Sequence, residues 1–353
     1  MSEERIGLIG LGAMGMGMAT CLRRAGYSVH VFDVRREVAE AFAAEGGVAC
    51  ESLAEVAAAC EVVISVVVNA VQTEAVLFGE GGAAAAMKAG SVFVMCSTVD
   101  PDWSIALEKR LAEQGILYLD APISGGAAKA AKGEITMMTS GHPDAYTRVG
   151  DALEAMASKV YRLGSAAGNG SKVKIINQLL AGVHIAAAAE AMALGMRQGV
   201  DPAALYEVIT HSAGNSWMFE NRMAHVLAAD YTPLSAVDIF VKDLGLVLDA
   251  ARTNKFPLPL ASTAHQMFLQ AASSGFGRED DSAVIKIFPG IELPKAPQGK
   301  LVVWIPYDLS GMAWSGWASS PLQIFFEVQG VAGPAQNGSE AGRPKGSSTA
   351  EQR

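Results

Sequence analysis

LGSAAGNGSKVKIINQLLAGVHIAAAAEAMALGMRQG, residues 163–199, is where the chain changes character. Before it, short apolar runs alternate with helical patterns in the rhythm of a parallel sheet. After it the periodicity is helical almost throughout. The stretch reads as one long helix over residues 164–199, and therefore as the seam between two domains. Lys174, Asn177 and Gln178, at spacings of three and four, share one face of its first turns. From Leu179 to Met196 it is apolar nearly all round, with His184 and Glu190 as polar interruptions. That pattern predicts a buried helix. Its length touches the lower limit of a membrane span, but a mid-helix glutamate and the polar cluster just upstream favour burial between domains or subunits.

On the amino-terminal side, IGLIGLGAMGMGMATCLRRAGY (residues 6–27) is an apolar strand, a turn through Gly10, Gly12 and Gly15, and an amphipathic helix. A dinucleotide site requires this order. The first glycine permits the tight turn, the second lets a pyrophosphate approach the backbone, and the third lets the helix pack on the strand. The next strand, YSVHVFD, ends in Asp33, eighteen residues past Gly15, where a carboxylate can accept hydrogen bonds from ribose hydroxyls. That carboxylate repels a ribose phosphate, so NAD is expected over NADP. Arg35 and Arg36 read as solvated charges at the start of the following helix.

Strands over residues 61–68 and 91–98 follow, and open parallel sheets bind ligands beyond the carboxyl ends of such strands. Asn69 and Thr98 are therefore cofactor-side candidates, with helix capping as the competing role. The strand ILYLDAP opens into Ser124, Gly125 and Gly126, where freed backbone N–H groups beside a hydroxyl suit a carboxylate as well as they suit a plain turn. Two more strands, over residues 135–141 and 159–164, flank a helix at residues 144–155. Beyond the seam, residues 202–209, 217–227, 236–253 and 259–275 are helical patterns, and 277–288 is expected to be the last ordered helix. Lys242 and Asp243 sit side by side on the third of these, an arrangement that is ordinarily a solvated face.

The totals fit this division. The 353 residues are 50% hydrophobic and 18% charged, enough for two sizeable cores. A net charge of -9 disfavours nucleic acid as a partner. Four scattered cysteines lack the spacing of a zinc site and suit a reducing, cytoplasmic setting; no metal is expected. The amino terminus shows no signal segment. The expected fold is an α/β Rossmann domain with a mainly parallel sheet (residues 1–163), followed by an all-α domain entered through a long interdomain helix (164–293). Residues 294–353 form an atypical extension, tryptophan-rich and then low in complexity, whose end is expected to be disordered.

Four separated motifs in order, GLGAMGMGMA, DAPISGG, GNGSKVKIINQ and FVKDLGL, resemble those of the beta-hydroxyacid dehydrogenase family over residues 1–294. The resemblance implies NAD-dependent oxidation of a small anionic hydroxy acid, with Lys174 as general acid/base and Asn177 supporting it. It makes Met14, Val68, Thr98 and Lys242 cofactor contacts beside the glycines, Asp33 and Asn69. Ser124, Gly125, Gly126, Gln178 and Asp243 become substrate contacts. VVNAVQTE, the body of the long helix and HSAGNSWMFENR look most like the members acting on the four-carbon sugar acid L-threonate, which yields a 2-oxo-tetronate. Members acting on 3-hydroxyisobutyrate or tartronate semialdehyde are the alternative, and a non-catalytic nucleotide sensor on the same fold is the alternative of another class. The family also implies a homodimer or homotetramer. Cys21 and Gln178 stand where the family commonly has Asn.

Overall fold

The structure, a computed structural model, describes residues 4–295. The expectations for the remainder of the extension, residues 296–353, lie outside the described residues.

The first half is a βα alternation. In chain order it comprises β1 (Arg5–Ile9), α1 (Gly15–Arg24), β2 (Ser28–Phe32), α2 (Arg36–Ala44), β3 (Val48–Ala49), α3 (Leu53–Ala59), β4 (Val62–Ser65) and α4 (Ala70–Phe78). It continues with β5 (Val92–Met95), α5 (Pro101–Ala112), β6 (Leu117–Asp120), β7 (Ile123–Ser124), α6 (Gly126–Lys132), β8 (Ile135–Gly141), α7 (Pro143–Met156) and β9 (Ala157–Arg162). The strands are ordered β3-β2-β1-β4-β5-β6-β8-β7, with β9 on β8. Pairing is parallel from β3 through to β6 and between β8 and β9, and β8 runs antiparallel to β6 and β7.

Residues buried on both faces explain why these strands read as unbroken apolar runs. Val62, Ile64, Val92 and Val94 join one core with α1, α2, α6 and α7, while Val63, Phe93 and Met95 join another with α3, α4 and α5. Each such side chain, fully buried, contributes about 1.5–3 kcal/mol of transfer free energy. Strand order reverses between β1 and β4, and this crevice is where an open α/β sheet takes its ligand. The fourth strand is shorter than the apolar run that announced it. The strand ends at Ser65; Val66 N still donates to the Ile9 carbonyl at 2.8 Å, and Val67 and Val68 lie beyond the sheet.

The second half is helical: α8 (Asn169–Arg197), α9 (Pro202–Thr210), α10 (Trp217–Ala228), α11 (Val237–Thr253) and α12 (Pro259–Ala271). The long helix starts at Asn169, not Gly164, because Gly168 adopts a φ of +107° and residues 164–168 form the connecting loop. The segment after α12 is also less helical than its pattern suggested. Gly275, at φ +93°, breaks the helix, and residues Asp281–Ile287 form a buried 3-10 turn instead of a full last helix.

α8 forms the wall on which α10, α11 and α12 pack, with Ile185, Ala189, Met192, Phe219, Met223, Phe240, Leu244 and Phe268 in one core. By length and composition α8 could cross a membrane, yet half of its most apolar window is buried inside the described residues. The expected all-round burial is not met within one chain. Val173, Ile176, Leu180 and Leu194 are exposed and lie along one stripe, Ile176 at 59% and Leu180 at 52%.

Candidate active site

The glycine turn at the crevice is shaped by contact. Gly10 holds φ +95°, and a Cβ there would lie 2.6 Å from the Val66 carbonyl oxygen. At Gly15 a Cβ would overlap the Gly10 carbonyl oxygen, which is how closely α1 approaches β1. Gly12, in contrast, faces open space: a Cβ there would meet nothing within 4 Å. Met14 is the N-cap of α1 and offers no side-chain bond, and the first turn of that helix carries no acid. The amide-rich, positive end of α1 is thus free to meet an anion.

Asp33 follows β2 at the same edge. Its Oδ2 accepts from the Leu11 amide at 2.7 Å, and its Oδ1 accepts from the amide and Nε of Arg35 at 2.9 and 3.1 Å. Burial pushes this carboxyl up, but the bonds from Arg35 and Leu11 outweigh it and hold the group below its usual range. Arg35 is therefore not the freely solvated charge its position suggested. It folds back over Asp33 and donates to the Leu11 carbonyl, whereas Arg36 pairs outward with Glu40 and Glu51. A cavity of about 210 Å³ opens beside Asp33, lined by Phe32, Val34, Ala49 and Cys50. A larger one of about 420 Å³, around Phe78 and Gly82, touches neither the glycine turn nor Asp33. Open space at Gly12, an acid-free helix end and a charged carboxylate at the second strand end together fit a dinucleotide.

Of the two capping ambiguities, one resolves each way. The Asn69 side chain caps α4, accepting from the Gln72 amide at 2.8 Å. α5 is capped by Asp100, so Thr98 does not serve as its cap. The carbonyls of Val68 and Thr98 both accept from Lys242 Nζ, at 2.9 and 3.1 Å. One lysine of the helical half thus reaches across to the ends of two sheet strands.

Lys242 adjoins Asp243, which is buried rather than solvated. Its Oδ1 lies 2.7 Å from the Lys242 ammonium, an ion pair formed beside the two hydrogen bonds that the lysine donates to the carbonyls. Asp243 Oδ2 accepts from Gln178 Nε2 at 2.6 Å. The Gln178 carbonyl oxygen accepts from Lys174 Nζ at 2.8 Å and from Asn177 Nδ2 at 3.0 Å. Only one orientation of the Gln178 amide satisfies all three partners, because a carboxylate can only accept and an ammonium can only donate. This network depends on α8 and α11 packing closely. A Cβ on Gly182, one turn beyond Gln178, would come within 3.0 Å of Leu244.

Lys174 is 6% exposed. Burial lowers its pKa to about 8, with Asp243 working against that shift and Lys242 with it. A lysine so placed can lose its proton near neutrality.

The Ser124 loop lies on the neighbouring strand ends. Ser124 pairs with Thr136 across β7 and β8, and Gly125 and Gly126 adopt φ of +141° and +75°, values that favour glycine. A Cβ on Gly126 would meet nothing within 4 Å, so the loop backbone is open to a ligand. α6 anchors it against α1 at Gly17, where a Cβ would lie 2.6 Å from Ala130 and Ala131. Cys21, in the position where Asn is common, points its thiol at the carbonyls of those residues, at 3.4 and 3.6 Å, as a weak donor.

No hydrogen bond joins the Ser124 loop directly to Lys174. A residue that the sequence reading passed over connects them. Asp120, the buried end of β6, accepts from the amides of Gly168 and Ser171 and the hydroxyls of Ser171 and Ser140. Its burial pushes the carboxyl up against those four bonds. The signal was present in the sequence: ILYLD is an apolar strand closed by an aspartate, as VHVFD is at Asp33.

A sheet with its ligand crevice at the β1/β4 reversal, joined through one helix to a buried lysine of lowered pKa, is the plan of a two-domain dehydrogenase that works on alcohols with a dinucleotide. Comparison with known proteins supports that class and narrows it. Residues 5–164 match the NAD binding domain of 6-phosphogluconate dehydrogenase, and residues 168–288 match the NAD-binding domain of NADP-dependent 3-hydroxyisobutyrate dehydrogenase. L-threonate dehydrogenase of Cupriavidus necator is 69% identical over 292 residues, covering 83% of this chain and 98% of that one. The Escherichia coli K12 enzyme of the same name is 52% identical, over 84% of this chain and 98% of its own. A crystal structure of 3-hydroxyisobutyrate dehydrogenase from Salmonella typhimurium superposes with a TM-score of 0.78 at 53% identity, covering 81% of this chain and all of that one. The chain belongs to the beta-hydroxyacid dehydrogenase family, and its first half is an NAD-binding domain.

Proposed function

We propose that the protein oxidises L-threonate to a 2-oxo-tetronate with NAD, and that Lys174 takes the proton of the reacting hydroxyl. The observation that carries the chemistry is the buried Lys174 amine, 2.8 Å from the Gln178 carbonyl oxygen and with its pKa lowered to about 8. The substrate comes from similarity to the two L-threonate dehydrogenases above.

When bound, the dinucleotide supplies the hydride acceptor. Gly10, Gly12 and Gly15 with the end of α1 hold its phosphates, and Asp33 accepts from its ribose hydroxyls, giving NAD preference over NADP. Val68, Asn69 and Thr98 line its path along the crevice, and Lys242 ties that wall to the helical half. Ser124, Gly125 and Gly126 present amides and a hydroxyl to the substrate carboxylate. Gln178 accepts one Lys174 N–H, which leaves the neutral amine's lone pair for the substrate hydroxyl, and Asp243 holds the Gln178 amide in that orientation. Asn177 adds a second donor to the same carbonyl. For reduction the same groups act in reverse, with the ammonium returning the proton.

The division near residue 163 then separates a cofactor half from a half that carries the base, and residues 294–353 are not needed for turnover. We also propose a cytoplasmic homo-oligomer that uses neither nucleic acid nor membrane. The exposed stripe of α8 supports the association.

The test is NAD+ reduction with L-threonate, D-erythronate, 3-hydroxyisobutyrate, glycerate and 6-phosphogluconate. L-threonate should give the highest kcat/KM. A higher value for 3-hydroxyisobutyrate would transfer the assignment to the activity named for the Salmonella typhimurium structure.

A further inference from the structure

The glycines of GNGSKVKIINQ are not explained by cofactor or substrate contact. Their environment accounts for them. α8 begins at Gly168, which has no side chain to cap the helix, and its first-turn amides are capped from the sheet instead. Gly168 N and Ser171 N donate to Asp120 Oδ2 at 3.0 and 2.9 Å, and Ser171 Oγ donates to Asp120 Oδ1 at 2.7 Å. Gly170 N donates to Ser140 Oγ at 2.9 Å, and that hydroxyl donates in turn to Asp120 at 3.2 Å. Asp120 and Ser140 are direct partners across the β6/β8 ladder, so the seat is part of the sheet itself. Space is tight around it. A Cβ on Gly170 would lie 2.4 Å from the Met138 carbonyl oxygen and 3.1 Å from Asp120 Oδ2, and a Cβ on Gly168 would lie 2.8 Å from Ile105.

Two distances along the chain give this seat its consequence. Lys174 is three residues beyond Ser171, one turn up the same helix, and Ser124 is four residues beyond Asp120. The base and the carboxylate-holding loop come from different elements, yet both are referenced to one buried carboxylate. A negative group at the amino end of a 29-residue helix is also favoured by the helix dipole.

We infer that Asp120 is a positioning residue for the dehydrogenation: by seating the first turn of α8 on β6 and β8, it sets where the Lys174 amine stands relative to the Ser124 loop. This rests on the reading of Lys174 as the proton acceptor. Asp120 is fully buried with both oxygens engaged in the seat, and it acts through Lys174. Loss of one acceptor or one donor in the seat lets α8 shift or tilt at its start, and a displacement near 1 Å at a reacting group costs roughly a hundredfold in rate.

The test uses the full-length protein carrying Asp120→Asn, Ser171→Ala, Lys174→Ala and the double substitution Asp120→Asn/Lys174→Ala. NAD+ affinity, kcat, KM, the pH dependence of kcat/KM and Tm are measured for each. Asp120→Asn should lower kcat about tenfold to a hundredfold with NAD+ affinity within about twofold, and should move the ascending limb of the pH profile for oxidation. In the Lys174→Ala background the same change should have little further effect, because the group it positions is gone. Should Asp120→Asn not fold, Ser171→Ala decides alone, with a smaller kcat loss and unchanged NAD+ affinity expected. A lowered Tm with kcat and pH profile intact would reduce the seat to a structural cap and overturn the inference. So would an equal loss in the presence and absence of Lys174. Substantial turnover by Lys174→Ala alone would instead defeat the reading on which the inference rests.

Discussion

In the proposed reaction, the role of Lys174 depends on a proton balance set by burial. Its pKa is lowered to about 8, so the neutral amine that oxidation requires is the minority form at pH 7. The kcat/KM for oxidation should therefore rise about tenfold per pH unit below 8 and level off above it, and reduction should fall through the same range. A profile flat from pH 6 to 10 would exclude this lysine as the titrating base. Asp33 makes a second prediction. Replacing it by Ala removes the acceptor of the Leu11 amide, at a cost of about 1–3 kcal/mol, and frees Arg35. NAD+ affinity should fall more than NADP+ affinity, and an unchanged ratio of the two would reject the role given to Asp33. Spacing places Asp33 at the end of β2 and Lys174 on the first turns of α8, while the role expected of Lys174 comes with the family resemblance. What spacing could not convey was that Arg35 already occupies Asp33, or that Gln178 lies between Lys174 and Asp243. The Gln178–Asp243 bond joins α8 to α11, far apart in sequence, and the fold-back of Arg35 onto Asp33 is a local side-chain conformation that spacing does not specify.

Among the elements, the rhythm of apolar runs gave the order of strands and helices, because strands buried on both faces leave no other pattern. Their ends were less legible. Val67 and Val68 continue the apolar run of β4 beyond the last strand residue, while Val66 stays bonded to Ile9 with its carbonyl against Gly10. At the start of α8, residues 164–168 look like helix but form a loop, and Gly168 and Gly170 are held by the sheet. The close crossing of α8 and α11 was invisible until Gly182 and Leu244 were seen in contact. Gly182→Val should force the two helices apart, lowering stability by about 1–3 kcal/mol and stretching the Gln178–Asp243 bond. A Tm loss accompanied by a lower kcat is expected, and an unchanged kcat would show that the network tolerates a wider crossing.

For the whole molecule, the apolar body of α8 was expected to be covered on all sides, and one chain covers about half of its most apolar window. In the proposed homo-oligomer, a second copy packs on the stripe of Val173, Ile176, Leu180 and Leu194. Leu180→Glu should shift the protein to a smaller species in light scattering, and an unaltered mass would place the subunit contact elsewhere. The central claim is nonetheless carried by a single chain: one buried amine, placed by the helix that joins the two halves, accepts the proton. It is tested most directly by NADH formation from L-threonate in Lys174→Ala, with NAD+ affinity measured on the same sample. The predicted result is a loss of about 10²–10⁴ in kcat with NAD+ affinity unchanged. Turnover within a few-fold of the unsubstituted protein would contradict it.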